Sequence, residues 1–122
     1  MSVETKDLII VMTKGANDEV SSVGLTLANG AQTAGMNVGL FLTSAAIDLV
    51  RKNAIDYTQV HPMEPLKELL AEFMRRGGKV WSCPPCTTGR GYTSESLVDG
   101  VEIHGASVIF ERIKQGAATL TF

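Results

Sequence analysis

The sequence predicts an α/β fold with a five-stranded, mostly parallel sheet and helices on both of its faces. Short, continuous apolar runs are typical of strands that are buried on both faces. Between these runs, apolar residues recur every three or four positions, which is the pattern of amphipathic helices. Strands that alternate with helices are usually joined by right-handed crossovers into one parallel sheet.

The composition fits one domain that covers residues 1–122. Hydrophobic residues make up 44% of the chain and charged residues 20%, a balance that argues against disorder and allows one buried core. The formal net charge of -2 argues against a nucleic-acid partner, because contacts to phosphates need a basic surface.

The beginning of the chain carries no targeting pattern. Residues 1–7 are polar and lead directly into an apolar run, without the basic region and cleavage site of a signal peptide. No apolar stretch approaches the ~20 residues that cross a bilayer. We therefore expect a cytoplasmic protein without membrane association.

The first predicted strand covers residues 8–12, and the helix after it runs to Gly35. Gly24 and Gly30 lie inside this helix, where each glycine costs about 1 kcal/mol of helix stability relative to alanine. We interpret them as places where the helix packs closely against the sheet or a neighbour.

The middle of the chain contains the second and third strands. They cover residues 38–42 and 79–82. Between them we predict a short helix over residues 46–53 and a long loop over residues 54–65, a candidate lid or interface segment. Residues 66–76 then form the clearest helix, since its apolar positions follow the i, i+3, i+4, i+7 pattern and two glycines end it.

The last part of the chain completes the sheet. We predict a short strand over residues 101–103, a helix over residues 106–113 and a closing strand over residues 118–122. This order gives the fifth strand and the last crossover of the predicted sheet.

Cys83 is the candidate functional residue with the clearest position. It follows the strand at residues 79–82 directly, and ligands of open α/β sheets gather beyond the carboxyl ends of the strands. A turn that begins near Pro85 would place Cys86 close to free backbone N–H groups, which stabilise a thiolate. Arg90 follows four residues after Cys86 and could share its face of that turn.

The two cysteines do not form a disulfide framework, because a bridge between neighbours would close only a tiny loop. Buried structural thiols are the simplest alternative. A structural zinc site needs about four ligands, and the only other soft ligands, His61 and His104, do not match a zinc spacing. We expect no metal site within one chain.

The two histidines and the loop after the first strand are weaker candidates for chemistry. His61 could be a second polar group above the strand-end cleft, although a solvated loop histidine is the more common case. His104 is more often structural than catalytic at such a position. The loop after the first strand lacks the spacing of a phosphate-binding loop, so no organic cofactor is expected.

The residues around the cysteines resemble those of DsrE/DsrF-like proteins. The resemblance is carried by Gly-Lys-Val-Trp-Ser-Cys-Pro-Pro-Cys at residues 78–86, by Gly-Arg-Gly at residues 89–91 and by Leu-Val-Asp-Gly-Val-Glu at residues 97–102. It implies a three-layer α/β/α sandwich and a strand-end cysteine that carries sulfur as a persulfide between donor and acceptor proteins. It also implies a trimer or hexamer, which some family members build from one chain type and others from several, and for this chain we expect a homo-oligomer.

The resemblance assigns the sulfur-carrying role to Cys83 first and to Cys86 second. The presence of both cysteines departs from family members that have a single one. It stays open whether Cys86 resolves the persulfide, shares in carrying it or replaces the acceptor.

Three functions follow from these observations. The leading hypothesis is a persulfide carrier or sulfurtransferase in sulfur relay, and whether it is an enzyme in its own right stays open. The alternative is a dithiol–disulfide or peroxide-handling protein that uses both cysteines. The third is a non-catalytic oligomeric binding protein. The exposed sheet edge and the small residues of the helix at residues 24–34 also predict a homo-oligomer.

Overall fold

The computed structural model describes residues 6–122. Five strands form its sheet: β1 (Asp7–Met12), β2 (Asn37–Leu42), β3 (Lys79–Ser82), β4 (Glu102–Ile103) and β5 (Ala118–Thr121). Four α-helices connect or flank them: α1 (Glu19–Thr33), α2 (Leu66–Arg75), α3 (Pro84–Gly89) and α4 (Ser107–Lys114). Two short 3₁₀ helices cover Ser44–Val50 and Ser94–Ser96. The prediction for residues 1–7 falls mostly on residues 1–5, which lie outside the described residues.

All strand pairs of the sheet are parallel, in the order β4-β3-β2-β1-β5. The predicted five-stranded α/β fold is therefore confirmed. The central pairing of β2 with β3 sets Leu42 opposite Ser82, so these two strands end at the same level. This shared ending brings the residues that follow β2 and β3 together.

Helices cover both faces of the sheet and separate two apolar layers. On one face, α1 and α2 pack over the larger core, whose fully buried side chains include Ile10, Leu40 and Phe73. On the other face, α4 covers a smaller cluster, which consists of Ile9, Phe41, Trp81 and Ile109. The alternation of these side chains along the strands explains why the apolar runs are continuous in the sequence.

The two glycines of helix α1 have different surroundings in the structure. A Cβ atom at Gly24 would lie 2.9 Å from Met12 Cε, so this glycine does allow close packing against β1. A Cβ atom at Gly30 would meet nothing within 4 Å, so Gly30 does not pack closely against the sheet, and its packing against a neighbouring chain stays a prediction. The helix itself ends at Thr33, two residues before the predicted end at Gly35.

The middle segments differ from their prediction in detail. The helix predicted at residues 46–53 is a 3₁₀ helix that begins earlier and ends at Val50. The long loop at residues 54–65 is anchored, because Ile55 is buried in the larger core and Thr58 accepts a hydrogen bond from the Leu66 N–H. In the described part of the chain, none of the helices combines the length and apolar character that crossing a membrane requires.

Candidate functional site

The cysteine segment begins where β3 ends, at the carboxyl edge of the sheet. The Cys83 N–H donates a 2.9 Å hydrogen bond to the carbonyl oxygen of Leu42, the last residue of β2. Cys83 has the extended backbone that a residue before proline prefers, with φ −61° and ψ 126°. The predicted position of Cys83 at this edge is confirmed.

Helix α3 begins one residue earlier than expected, at Pro84, with Cys83 as its N-cap. Because Pro84 and Pro85 occupy the first two helical positions, neither position supplies a backbone N–H group. The free N–H groups that the sequence interpretation placed beside Cys86 are therefore reduced in number. Cys86 finds its hydrogen-bond donors elsewhere.

The donors come from the segment that follows β2. The Ser44 N–H donates to Cys86 Sγ over 3.2 Å. The Thr43 hydroxyl lies 3.4 Å from the same sulfur, and in the thiolate state it is the donor. Donors at the start of the 3₁₀ helix after β2 thus converge on a thiol that helix α3 carries.

These contacts favour the ionised form of Cys86. The Thr43 hydroxyl is the largest cause that holds the pKa of Cys86 below the ordinary thiol value, and the Ser44 N–H is the next. Partial burial acts in the opposite direction. The Cys83 thiol and the positive charge of Arg90 add smaller contributions that also lower this pKa.

Ser44 has an unusual backbone conformation at this site. Its φ is +54°, in the left-handed region that residues other than glycine seldom adopt. Such a conformation costs free energy and persists only when the surrounding contacts maintain it. The strained residue is the one whose N–H reaches Cys86.

A buried pair of hydroxyls fixes the start of α3 to the sheet. Ser82 Oγ and Thr87 Oγ1 lie 2.5 Å apart, and Thr87 Oγ1 also donates to the Cys83 carbonyl oxygen over 2.7 Å. Both residues are fully buried. This pair sets the angle at which the helix carries Cys86 away from β3.

Tyr92 connects the 3₁₀ helix after β2 with helix α3. Its hydroxyl donates to Asp48 Oδ1 over 2.6 Å, and this hydrogen bond raises the pKa of Tyr92. Its N–H donates to the carbonyl oxygen of Thr87 in α3. Asp48 belongs to the 3₁₀ helix that Ser44 begins, so Tyr92 holds that helix and α3 together.

Arg90 lies beside Cys86, but it does not touch the sulfur. Its Nη1 donates to the Cys86 carbonyl oxygen over 3.2 Å, and the remaining guanidinium surface is exposed. The expectation that Arg90 shares the local environment of Cys86 agrees with this position. Its effect on the thiol is electrostatic.

The two histidines are not brought into this cluster by any hydrogen bond within residues 6–122. His61 is exposed in the loop before α2. His104 follows β4, and its Nδ1 lies 2.9 Å from the Gly105 carbonyl oxygen. Among the described residues, no group of three or more His, Cys, Asp or Glu side chains is arranged to hold a metal ion.

A family model matches this chain from residue 6 to residue 122, under the description DsrE/DsrF-like family. The chain belongs to the DsrE/DsrF-like family. This result confirms the resemblance drawn from residues 78–102, and the family is associated with sulfur relay.

Solved structures show the same fold. The YchN protein of E. coli is 24% identical, with a TM-score of 0.78, and the match covers 98% of this chain and 100% of that one. MTH1491 of Methanobacterium thermoautotrophicum is 14% identical, with a TM-score of 0.71 and coverage of 96% and 99%. BT1422 of Bacteroides thetaiotaomicron is 17% identical, with the same TM-score and coverage of 96% and 95%. Both of the latter are described as proteins of unknown function. No curated protein gives a significant match.

Several residues of the site were not predicted from the sequence. Thr43 and Ser44 follow an apolar strand directly, and neighbouring parallel strands end at one edge, so their position was a usable signal. Thr87 lies four residues after Cys83, the spacing at which a helical hydroxyl reaches back to a carbonyl oxygen. The contact between Tyr92 and Asp48 joins residues 44 positions apart and has no local signal.

Replacing Thr43 by valine should raise the pKa of Cys86, because the largest favourable contact to the thiolate is removed. The pH profile of iodoacetamide alkylation in a Cys83→Ser background measures this effect. The profile should move to higher pH, and the rate near neutral pH should fall about threefold to tenfold, the equivalent of one hydrogen bond. Thr43→Ser retains the hydroxyl and should stay close to the parent. Equal profiles for all three proteins would contradict the proposed activation.

Proposed function

We propose that this protein is a sulfur carrier whose Cys86 thiolate accepts a sulfane sulfur and passes it to a partner cysteine. The observation that carries the proposal is the convergence of the Thr43 hydroxyl and the Ser44 N–H on Cys86 Sγ. The sequence interpretation put Cys83 first and Cys86 second. We now favour the opposite order, because Cys86 is the thiol that both donors contact.

The loading step is a nucleophilic displacement on sulfur. The Cys86 thiolate attacks the outer sulfur of a donor persulfide, a new S–S bond forms, and the donor's own S–S bond breaks. The electron pair of the broken bond leaves with the donor thiolate, which takes a proton from water. No electrons are gained or lost overall, so the reaction needs no redox cofactor.

The unloading step is the same displacement in reverse. An acceptor thiolate attacks the outer sulfur of the Cys86 persulfide and regenerates the Cys86 thiolate as leaving group. The Thr43 and Ser44 donors stabilise that leaving thiolate, and thiols of lower pKa leave faster. The same two contacts therefore assist both directions of transfer. Donor and acceptor proteins are the partners that this cycle requires.

The position of Cys83 favours a second function, a dithiol–disulfide cycle. The Cys83 thiol is one of the groups that lower the pKa of Cys86, and both cysteines are half-buried and free. Cys83 could attack a Cys86 persulfide, form an intramolecular disulfide and release hydrosulfide. A cytoplasmic location fits both functions, because a reducing compartment keeps the two thiols free.

Treatment with a small persulfide donor should add one sulfur atom to the chain, and a reductant should remove it again. Intact-mass spectrometry of three proteins measures the addition. We expect a stable adduct in Cys83→Ser, little or no adduct in Cys86→Ser, and a short-lived adduct with some disulfide in the wild type. The stability of the Cys83→Ser adduct follows from removal of the thiol that could intercept it.

Two outcomes would contradict parts of this account. Sulfur that loads only when Cys83 is present would return the carrying role to that residue. Failure of both thiols to load, together with disulfide formation in peroxide, would favour the redox function over the relay.

We also propose that the protein is a homo-oligomer, trimeric or hexameric, through the β5 side of the sheet. All four residues of β5 are exposed, so this edge strand offers unpaired backbone groups to another chain. Phe110 and Ile113 of α4 and Leu120 of β5 are 57%, 41% and 43% exposed. The small-residue helix α1 stays a second candidate surface, because α2 covers only one side of it, through hydrogen bonds such as Asn29 Nδ2 to Leu69 O, and Leu27 of α1 is 45% exposed.

Light scattering should give a mass several times the 13.0 kDa of one chain. The double variant Phe110→Glu, Ile113→Glu should shift the mass towards the monomer, because two buried charges would have to lose their water. Tyr57→Glu, at a side chain that is 99% exposed on a different element, serves as the control. A wild-type monomer at micromolar concentration would contradict the proposal.

A further inference from the structure

The amino edge of the sheet, opposite to the cysteines, contains a cavity of about 490 Å³. The first residues of three strands line it, namely Asp7 of β1, Asn37 of β2 and Lys79 of β3. Gln32 of α1, Arg76 directly after α2 and Arg112 of α4 add to the wall. The volume is within the range of small-molecule sites, which is about 300 to 1,000 Å³.

Positive charge is concentrated in this wall. Among residues 6–122, the basic residues of the wall are Arg76, Lys79 and Arg112, and its acidic residue is Asp7. The chain as a whole carries a formal charge of -2, so the excess of positive charge is local to this cavity. Concave surfaces of one sign raise the local concentration of ions of the opposite sign.

Two of the three cations are available to a ligand. Within residues 6–122, Lys79 and Arg112 take part in no ion pair. Arg76 is partly engaged, since its Nε lies 4.0 Å from a Glu72 carboxylate oxygen and its Nη2 donates to Thr33 Oγ1 over 3.0 Å. These contacts hold the Arg76 guanidinium in place at the cavity wall.

Arg112 is held by stacking instead of by an acid. Its guanidinium carbon lies 4.8 Å from the centroid of the Trp81 ring, a cation–π distance. The ring itself needs the glycine beneath it, because a Cβ atom at Gly39 would lie 2.2 Å from Trp81. Stacking uses the flat face of the guanidinium, so its N–H groups, which lie in the guanidinium plane, stay free to donate.

The geometry points to this cavity as a binding site for a small oxyanion with two negative charges, such as a phosphate, a sulfate or a dicarboxylate. Arginine and lysine are the side chains that bind such groups, Arg in a bidentate manner and Lys as a point charge. The negative charge of Asp7 repels an anionic ligand. The Asp7 carboxylate accepts a 3.2 Å hydrogen bond from Asn37 Nδ2. The site is independent of the sulfur chemistry at the other edge.

Trp81 gives the site its own reporter, because it lines the cavity and is the only tryptophan of the chain. Its fluorescence should change saturably when inorganic phosphate is added to the full-length protein at constant ionic strength. We expect a dissociation constant of about 1 mM or lower. Sulfate and succinate, titrated separately, distinguish a site for inorganic oxyanions from a site for carboxylates, and chloride at equal ionic strength should give no saturable change.

Variants test which charges bind the ion. Lys79→Gln should weaken phosphate binding about fivefold or more, and Asp7→Asn should tighten it by a similar factor, since each removes one charge at short range. Lys114→Gln changes a lysine of α4 that pairs with Glu111 outside the cavity and should leave binding unchanged. Tightening in Asp7→Asn cannot be explained by loss of folding.

Each alternative outcome would overturn the proposal. The absence of a saturable signal with phosphate, sulfate and succinate would show that the cavity does not select oxyanions. Equal weakening by Lys79→Gln and Lys114→Gln would indicate general screening and not a site. Weaker binding in Asp7→Asn would contradict the assigned charge balance.

Discussion

The parallel register of β2 and β3 is the constraint on which the thiol site depends. Leu42 pairs with Ser82, the last residue of β3. Cys83 follows Ser82 and donates its N–H to the Leu42 carbonyl oxygen. The chain after β2 and the chain after β3 therefore leave the sheet side by side. A slip of one residue would exchange the two faces of β3 and move Trp81 into the larger core, so burial on both faces maintains the register. The contact between Cys86 and its donors is a consequence of this pairing.

The donors around Cys86 suit a thiol that must both attack and leave. A thiolate with a very low pKa is a good leaving group but a weaker nucleophile, and the best attacking thiol has a pKa near the ambient pH. A hydroxyl and a backbone N–H are neutral donors, and the positive charge of Arg90 contributes least to the lowered pKa of Cys86. The pKa of Cys86 is thus lowered mainly by neutral hydrogen-bond donors. The strained φ of Ser44 is the structural cost of this arrangement.

Local sequence signals predicted the fold and the edge at which the cysteines lie, but not the contacts between loops. Continuous apolar runs located the strands, and the spacing in α2 located the clearest helix. The position of Cys83 followed from the strand before it. The contact of the Ser44 N–H could not be predicted, because its direction depends on the left-handed φ of a residue 42 positions away from Cys86 in the chain. The sequence also did not tell that Gly24 packs against the sheet and Gly30 does not, because a glycine alone does not indicate what its helix face meets.

The central claim is that Cys86, and not Cys83, is the more nucleophilic thiol because of Thr43 and Ser44. Competitive alkylation tests it most directly: wild-type protein is treated near neutral pH with less than one equivalent of iodoacetamide, and the label is mapped by peptide mass spectrometry. The account predicts that Cys86 is labelled several times faster than Cys83. Faster labelling of Cys83, or equal labelling of the two thiols, would contradict it.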